Sequence, residues 1–285
     1  MTKICILIAS HIYYDNQIEL FKNCLLSLKN QTYTADIYVS VSFENEKFKE
    51  LFINNILNIV DNVNILFILS DKQLYQMEHI YVFKEYVQKY DLIMFCVDDD
   101  TYEKERVEII NKLYMEYLSN KKDKEFAGFI EIIDVEMDDA PEFWCYTITP
   151  LIYNDFYDRC KNDMDLLKYD YGDMYFRNYL RLISDKKYYY YTYKLDRPSY
   201  NHYTNPDGIC GSQVKKDLDI CIRNVIIVLI SCLCNIDFVC NKVKLSENDL
   251  YIYVPELDRI KKLCYDLYDN IEIKNNIAKK RLDNL

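Results

Sequence analysis

Glycine and proline are nearly missing from this chain, at 4 and 5 of 285 residues. The glycines are Gly128, Gly172, Gly208 and Gly211. Neither a Walker loop nor a dinucleotide-binding fingerprint can be written with them, so Gly-rich phosphate cradles are excluded. Beside 29 tyrosines, the shortage reads as the codon bias of an AT-rich genome. Basic charge is short as well: 35 Lys and Arg stand against 46 Asp and Glu, for a net charge of -11. Nucleic acid as the main partner needs a clustered positive footprint, so it is not expected. A nucleotide held through one metal ion is not excluded. Long apolar runs are missing too. Val225 to Cys234, bracketed by Arg223 and Asp237, falls well short of the ~20 residues of a membrane-spanning helix and reads as a buried helix. Cysteine is plentiful, at 11, but without CxxC pairs or metal-like spacing. Cys5, Cys96, Cys232 and Cys234 sit in apolar runs, as buried free thiols do in a reducing compartment. Met1-Thr2-Lys3 leads straight into an apolar strand, so no signal peptide is expected. The expectation is a soluble, cytoplasmic chain with no transmembrane segment.

What is present is an alternation of two periods. Ile4 to Ile8 is a continuous apolar run of strand length, as in a strand buried on both faces. Leu20, Phe21, Cys24, Leu25 and Leu28 then mark one face of a helix. Ile37–Phe43, Asn64–Leu69 and Leu92–Val97 repeat the strand pattern, and Phe48–Val60 and Tyr75–Tyr90 repeat the helical one. Four such alternations predict an α/β fold with a doubly wound, mostly parallel sheet. Ligands of such sheets bind beyond the carboxyl ends of the strands, where the fourth strand runs into Asp98-Asp99-Asp100. The second half is less regular. Strands are expected over Phe126–Ile133, Tyr146–Ile152 and Tyr188–Leu195. An acidic loop is expected over Glu136–Glu142, a helix over Asp173–Ile183, a loop over Pro198–Ser212, and helices from Gln213 onward. The division is one domain over 1–211, with a donor half at 1–102 and an acceptor half at 103–211, and a C-terminal helical extension over 212–285.

Carboxylates closing a strand supply hard oxygen ligands, and a divalent cation there offsets diphosphate charge. Asp98 and Asp100, two apart, point the same way if extended. The plainer alternative is an acidic turn leading into a helix.

Ile4–Ser10, Ser27-Leu28-Lys29-Asn30-Gln31-Thr32-Tyr33, Asp36–Val41 and Phe95–Asp100 together resemble the donor half of the family 2 glycosyltransferases. These are nucleotide-diphospho-sugar transferases of the GT-A fold. The order and spacing match over about residues 3–102. Phe95–Tyr102 also resembles fringe-like and β3-galactosyltransferase-like enzymes of the same fold. The resemblance implies an inverting transfer from a nucleotide-diphosphate sugar, UDP-linked by family frequency, to a glycan or protein hydroxyl acceptor. It implies Mn²⁺ or Mg²⁺ at Asp98 and Asp100. It places Ala9, Ser10 and His11 near the base and ribose, with Asp98 and Asp99 on the donor. The family's acidic uracil reader after the second strand is replaced by Ser42 and Glu44, and Asp71 is a further candidate donor contact. Tyr171-Gly172-Asp173 resembles the segment that carries the catalytic base, with Gly172 at the usual Glu position. Asp173 is therefore the candidate base and Asp170 its alternate, although Asp is also a common helix cap. His202 is a candidate third metal ligand. Trp144 is a candidate platform for the acceptor sugar, although a sole Trp is more often core. His79, on a helix, is expected to be structural. The rival reading is a non-catalytic nucleotide-sugar-binding protein on the same scaffold, favoured by Gly172 and by the missing uracil reader.

Overall fold

A computed structural model describes residues 2–57, 64–120, 125–132, 142–160, 164–168, 172–183 and 188–203. The expected C-terminal helices, Asp170 and most of the acidic loop lie outside the described residues. The chain opens with β1 (Ile4–Ile12), α1 (Gln17–Lys29), β2 (Asp36–Phe43), α2 (Glu46–Ile56), β3 (Ile65–Ser70), α3 (Gln76–Tyr81), α4 (Lys84–Val87) and β4 (Leu92–Val97). It continues through β5 (Thr101–Tyr102), α5 (Arg106–Ser119), β6 (Glu125–Glu131), β7 (Tyr146–Ile148), α6 (Pro150–Cys160), α7 (Gly172–Ile183), β8 (Tyr188–Tyr193) and β9 (Tyr200–Asn201).

Seven strands form one sheet in the order β3-β2-β1-β4-β7-β6-β8. β1 is parallel to both β2 and β4, and β2 to β3. β7 alone runs against both its neighbours. The expected doubly wound, mostly parallel α/β sheet is therefore present. Alternate residues of the continuous apolar strands feed opposite faces. Ile4, Ile6 and Ile8 pack with Phe21, Leu25, Phe52 and Ile110 of α1, α2 and α5. Cys5, Leu7 and Phe95 pack with Ile80, Phe156, Phe176 and Leu180 of α3, α6 and α7. At about 1.5–3 kcal/mol for each fully buried large aliphatic or aromatic side chain, these two layers hold the sheet between its helices.

Three expectations need correction, and one element goes beyond them. The helix expected over Tyr75–Tyr90 is two short ones, α3 and α4, separated at Val82–Phe83. The strand expected over Tyr146–Ile152 stops at Ile148, because Pro150 starts α6. Proline suits a first helical position, where no N–H is required. The loop expected from Pro198 contains β9, which pairs antiparallel with β5. Helix α5 was not expected as an element, although Val107, Ile110, Leu113 and Tyr117 recur at helical spacing on its packed side.

Candidate active site at the switch point of the sheet

From β1 the chain winds one way to β2 and β3 and then returns to β4 on the other side. The gap between the carboxyl ends of β1 and β4 is therefore the switch point, where such sheets bind ligands. Ser10 and His11 end β1 there, with Ala9 level with Val97 of β4. Asp98, Asp99 and Asp100 follow β4 directly.

The three aspartates face three environments. Asp98 is buried and spans the gap. Its Oδ2 accepts from Ser10 Oγ at 2.5 Å and from Gln17 Nε2 at 2.8 Å. The same Gln17 amide donates to the His11 carbonyl at 2.9 Å, tying α1 to both strand ends. Burial raises the pKa of Asp98, and the neighbouring Asp100 adds to the shift. Asp99 is only partly buried. Burial and then the charges of Asp98 and Asp100 push it up to about 7. Asp100 is wholly buried. It accepts from the Tyr200 hydroxyl at 2.5 Å and the Tyr203 backbone N–H at 2.6 Å, and His202 Nδ1 lies 3.2 Å from its Oδ1. That contact with Asp100 raises the pKa of His202.

The segment bringing His202 to Asp100 is held from behind. Buried Arg106 donates to Glu131 at 2.9 Å and to the Trp144 carbonyl at 2.8 Å. Glu131 in turn accepts from the Ser199 N–H at 2.7 Å and the Ser199 hydroxyl at 2.5 Å. Trp144 stacks on Tyr200 and on His202, with ring centroids 5.4 Å and 5.0 Å apart. Asp98 to Asp100, Ser10, His202 and Trp144 thus belong to one region.

Other expected residues lie elsewhere along the edge of the sheet. Ser42 is buried, and its hydroxyl is taken up between His11 at 2.9 Å and His79 at 3.0 Å. Glu44, at the rim, lies 3.3 Å from His11 Nε2. Asp71 follows β3 and is exposed in an ion pair with Lys49 at 2.7 Å. Three strand spacings, about 14 Å, separate β3 from β4, so Asp71 is not brought to the aspartates, although it shares a shallow cleft with Glu44 and Lys49. Asp173 lies in the first turn of α7. A Cβ on Gly172, just before it, would meet Met77 Cγ of α3 at 3.0 Å. The close approach of α7 to α3 is a packing reason for glycine where the family pattern has Glu.

Sequence reasoning missed Gln17, Tyr200, Arg106 and Glu131. Gln17 offered a signal: it is a polar residue in register with the apolar stripe Phe21, Cys24, Leu28. Arg106 and Glu131 offered none, because they are 25 positions apart in sequence and meet only through the fold.

Among the described residues no three His, Cys, Asp or Glu side chains converge as a metal cage. Asp98 turns toward Ser10 and Gln17, leaving Asp100 and His202 as a facing pair. A carboxylate with phosphate oxygens and waters is the usual shell of Mg²⁺, and a nitrogen ligand beside it shifts the fit toward the softer Mn²⁺.

The sequence matches no protein-family model and no curated protein. Solved structures do match. The crystal structure of S. aureus TarS aligns over 98% of this chain with a TM-score of 0.51 and 11% identity. This chain spans 50% of that one. Structures of TarS residues 1–349 in complex with UDP and with UDP-GlcNAc each align over 99% of this chain and 89% of theirs, at 13% identity, with TM-scores of 0.48 and 0.47. The likeness to the first is one of fold, and with the strand order it makes this an α/β chain of the GT-A type.

Proposed function

We propose that this chain transfers a sugar from a nucleotide-diphosphate donor, UDP-linked, to the hydroxyl of a glycan or protein, with inversion and with Mn²⁺ or Mg²⁺. The carrying observation is the arrangement at the switch point: three consecutive carboxylates at the end of β4, one tied to β1 and α1, one facing His202. Asp100 and His202 would hold the cation. Such a cation would supply positive charge to offset that collecting on the leaving diphosphate. Asp98, fixed by Ser10 and Gln17, accepts from the donor's ribose. Asp99, whose carboxyl is partly exposed, faces the donor phosphates and sugar across the same gap. At the rim, His11 and Glu44 offer a donor and an acceptor to the base. Asp173 takes the proton of the acceptor hydroxyl as its oxygen attacks the anomeric carbon and the C–O bond to the diphosphate breaks. Trp144, stacked beside His202, offers its remaining surface to the acceptor sugar.

A thermal-shift panel of nucleoside diphosphates with and without Mn²⁺ tests the donor and cation. The expected result is stabilisation by UDP that depends on Mn²⁺, with at least a tenfold loss of Mn²⁺ affinity, about 1.4 kcal/mol, in His202→Ala. No shift with any nucleoside diphosphate in the presence of Mn²⁺ would overturn the proposal. Slow UDP-sugar hydrolysis without acceptor separates an enzyme from a binding protein.

A further inference from the structure

A row of side chains runs from the interior to the rim of the sheet. Ser40 Oγ lies 2.7 Å from His79 Nδ1, and His79 Nε2 lies 3.0 Å from Ser42 Oγ. Ser42 Oγ lies 2.9 Å from His11 Nδ1, and His11 Nε2 lies 3.3 Å from Glu44 Oε2. Ser40, Ser42 and His79 are buried, His11 is half-buried and Glu44 is exposed. Burial pushes the His79 pKa down to about 3, so its ring is neutral and carries a single N–H.

That one proton sets the direction of the row. With it on Nδ1, the Ser40 hydroxyl proton has no acceptor among the described residues, and Ser42 must donate to His79. A neutral His11 ring must then donate through Nδ1, which leaves a bare Nε2 lone pair against the Glu44 carboxylate. With the proton on Nε2, every group is satisfied. Ser40 donates to His79 Nδ1, and His79 Nε2–H donates to Ser42. Ser42 also accepts from the Leu74 N–H at 3.4 Å and donates to His11 Nδ1. His11 donates its own Nε2–H toward Glu44. A buried donor or acceptor without a partner is costly, so the second direction prevails.

We infer that His79 is a positioning residue: through Ser42 it holds His11 as the Nε2–H tautomer and so presents a fixed N–H donor beside the Glu44 carboxylate. When the exposed Glu44 carboxylate swings off this N–H, the rim complements a ring edge with an acceptor next to a donor, such as the carbonyl and N–H of uracil. The ligand rests on the nucleotide-sugar proposal; the tautomer does not.

Long-range ¹H–¹⁵N spectra of the full chain, which has only 3 histidines, read the tautomers directly. Protonated Nε2 and bare Nδ1 are expected on both His79 and His11, and Nδ1–H on either overturns the inference. His79→Leu should release His11 into mixed tautomers and weaken Mn²⁺-supported UDP binding about five- to tenfold, the size of one neutral hydrogen bond, with a smaller change in kcat. His79→Gln, whose amide still donates to Ser42, should restore both. If His79→Leu does not fold, Ser42→Ala makes the same cut. A His11 tautomer unchanged by the cut overturns the positioning role. Absence of UDP binding by the wild-type chain refutes the nucleotide-sugar proposal, and the spectra still decide the tautomer.

Discussion

Asp100 has no exposed surface, yet its carboxylate meets a hydroxyl, a backbone N–H and an imidazole. It therefore carries two roles that a truncation would confound. Asp100→Ala strips partners from the buried Tyr200 hydroxyl and from the Tyr203 N–H. At about 1–3 kcal/mol for each buried polar group left unpaired, a loss of several kcal/mol is expected in chemical denaturation. Tyr200→Phe is the cleaner probe. It keeps the stack on Trp144 and removes only the hydroxyl, which donates to Asp100 and accepts from the Val97 N–H at 3.2 Å, so a loss of about 1–3 kcal/mol is expected. Unchanged stability would show that the hydroxyl does not hold Asp100. His79 supplies a pH signature. Its folded pKa lies below the ordinary imidazole value, so the unfolded chain binds the extra proton. The stability it contributes is full above about 6.5 and falls as the pH drops toward 3. At pH 5 this one group should lower stability by about 2 kcal/mol relative to pH 8. Denaturant titrations of wild type and His79→Gln across that range should diverge by this amount. Parallel pH profiles would show that His79 is not kept neutral.

At the scale of elements, the first half was legible because each strand is an uninterrupted apolar run and each helix an apolar stripe, so period and length alone separate them. Boundaries drifted where capping decides them: Asn45, whose side chain accepts from the Phe48 N–H, starts α2 two residues before the first apolar position. The second half was harder to read for a physical reason. β7 is three residues long and is set by its pairing with β4 and β6. β9 exists only because Asn201 and Tyr200 pair with Thr101 and Tyr102. Neither contact has a local signal. Two expected outcomes belong here. Gly128 sits in β6 at φ +148°, and a Cβ would come within 1.8 Å of the Thr147 carbonyl oxygen of β7. Gly128→Ala should therefore cost at least about 3 kcal/mol, and a melting temperature near wild type would contradict this packing. Arg106 and Glu131 form a buried pair, each 1% exposed. Removing one partner of such a pair typically costs about 3–5 kcal/mol. Arg106→Met should also weaken Mn²⁺ binding, because Glu131 holds the Ser199 end of the segment that carries His202. Calorimetric titration of Mn²⁺ into a folded variant checks the second effect independently of the first.

Across the whole molecule, the topology and the place of the acidic cluster followed from the sequence, since four βα repeats leave one switch point and one strand there ends in carboxylates. Two partners of those carboxylates did not follow, Gln17 and Tyr200, which reach them from 81 and 100 positions away, whereas His202, a candidate from the sequence, does lie against Asp100. Charge joins the site to the rest of the chain. The chain carries a net charge of -11 and the gap itself holds three aspartates, so an anionic nucleoside diphosphate meets repulsion both locally and at long range. Salt screens such interactions over about 8 Å at physiological strength. Added KCl should therefore tighten the binding of UDP alone. With Mn²⁺ the sign reverses, because the first partner to dock is then a cation drawn to the same field, and screening weakens that attraction. The chain carries its own reporter: its single Trp, Trp144, stacks 5.0 Å from the His202 ring. Cation binding at Asp100 and His202 should alter its fluorescence, which a distant site would not do. Titrations at about 20 and 200 mM KCl, spanning Debye lengths of roughly 20 to 7 Å, should give opposite slopes with and without Mn²⁺. A Trp144 signal indifferent to Mn²⁺, or salt slopes of one sign in both series, would place the cation away from Asp100 and His202.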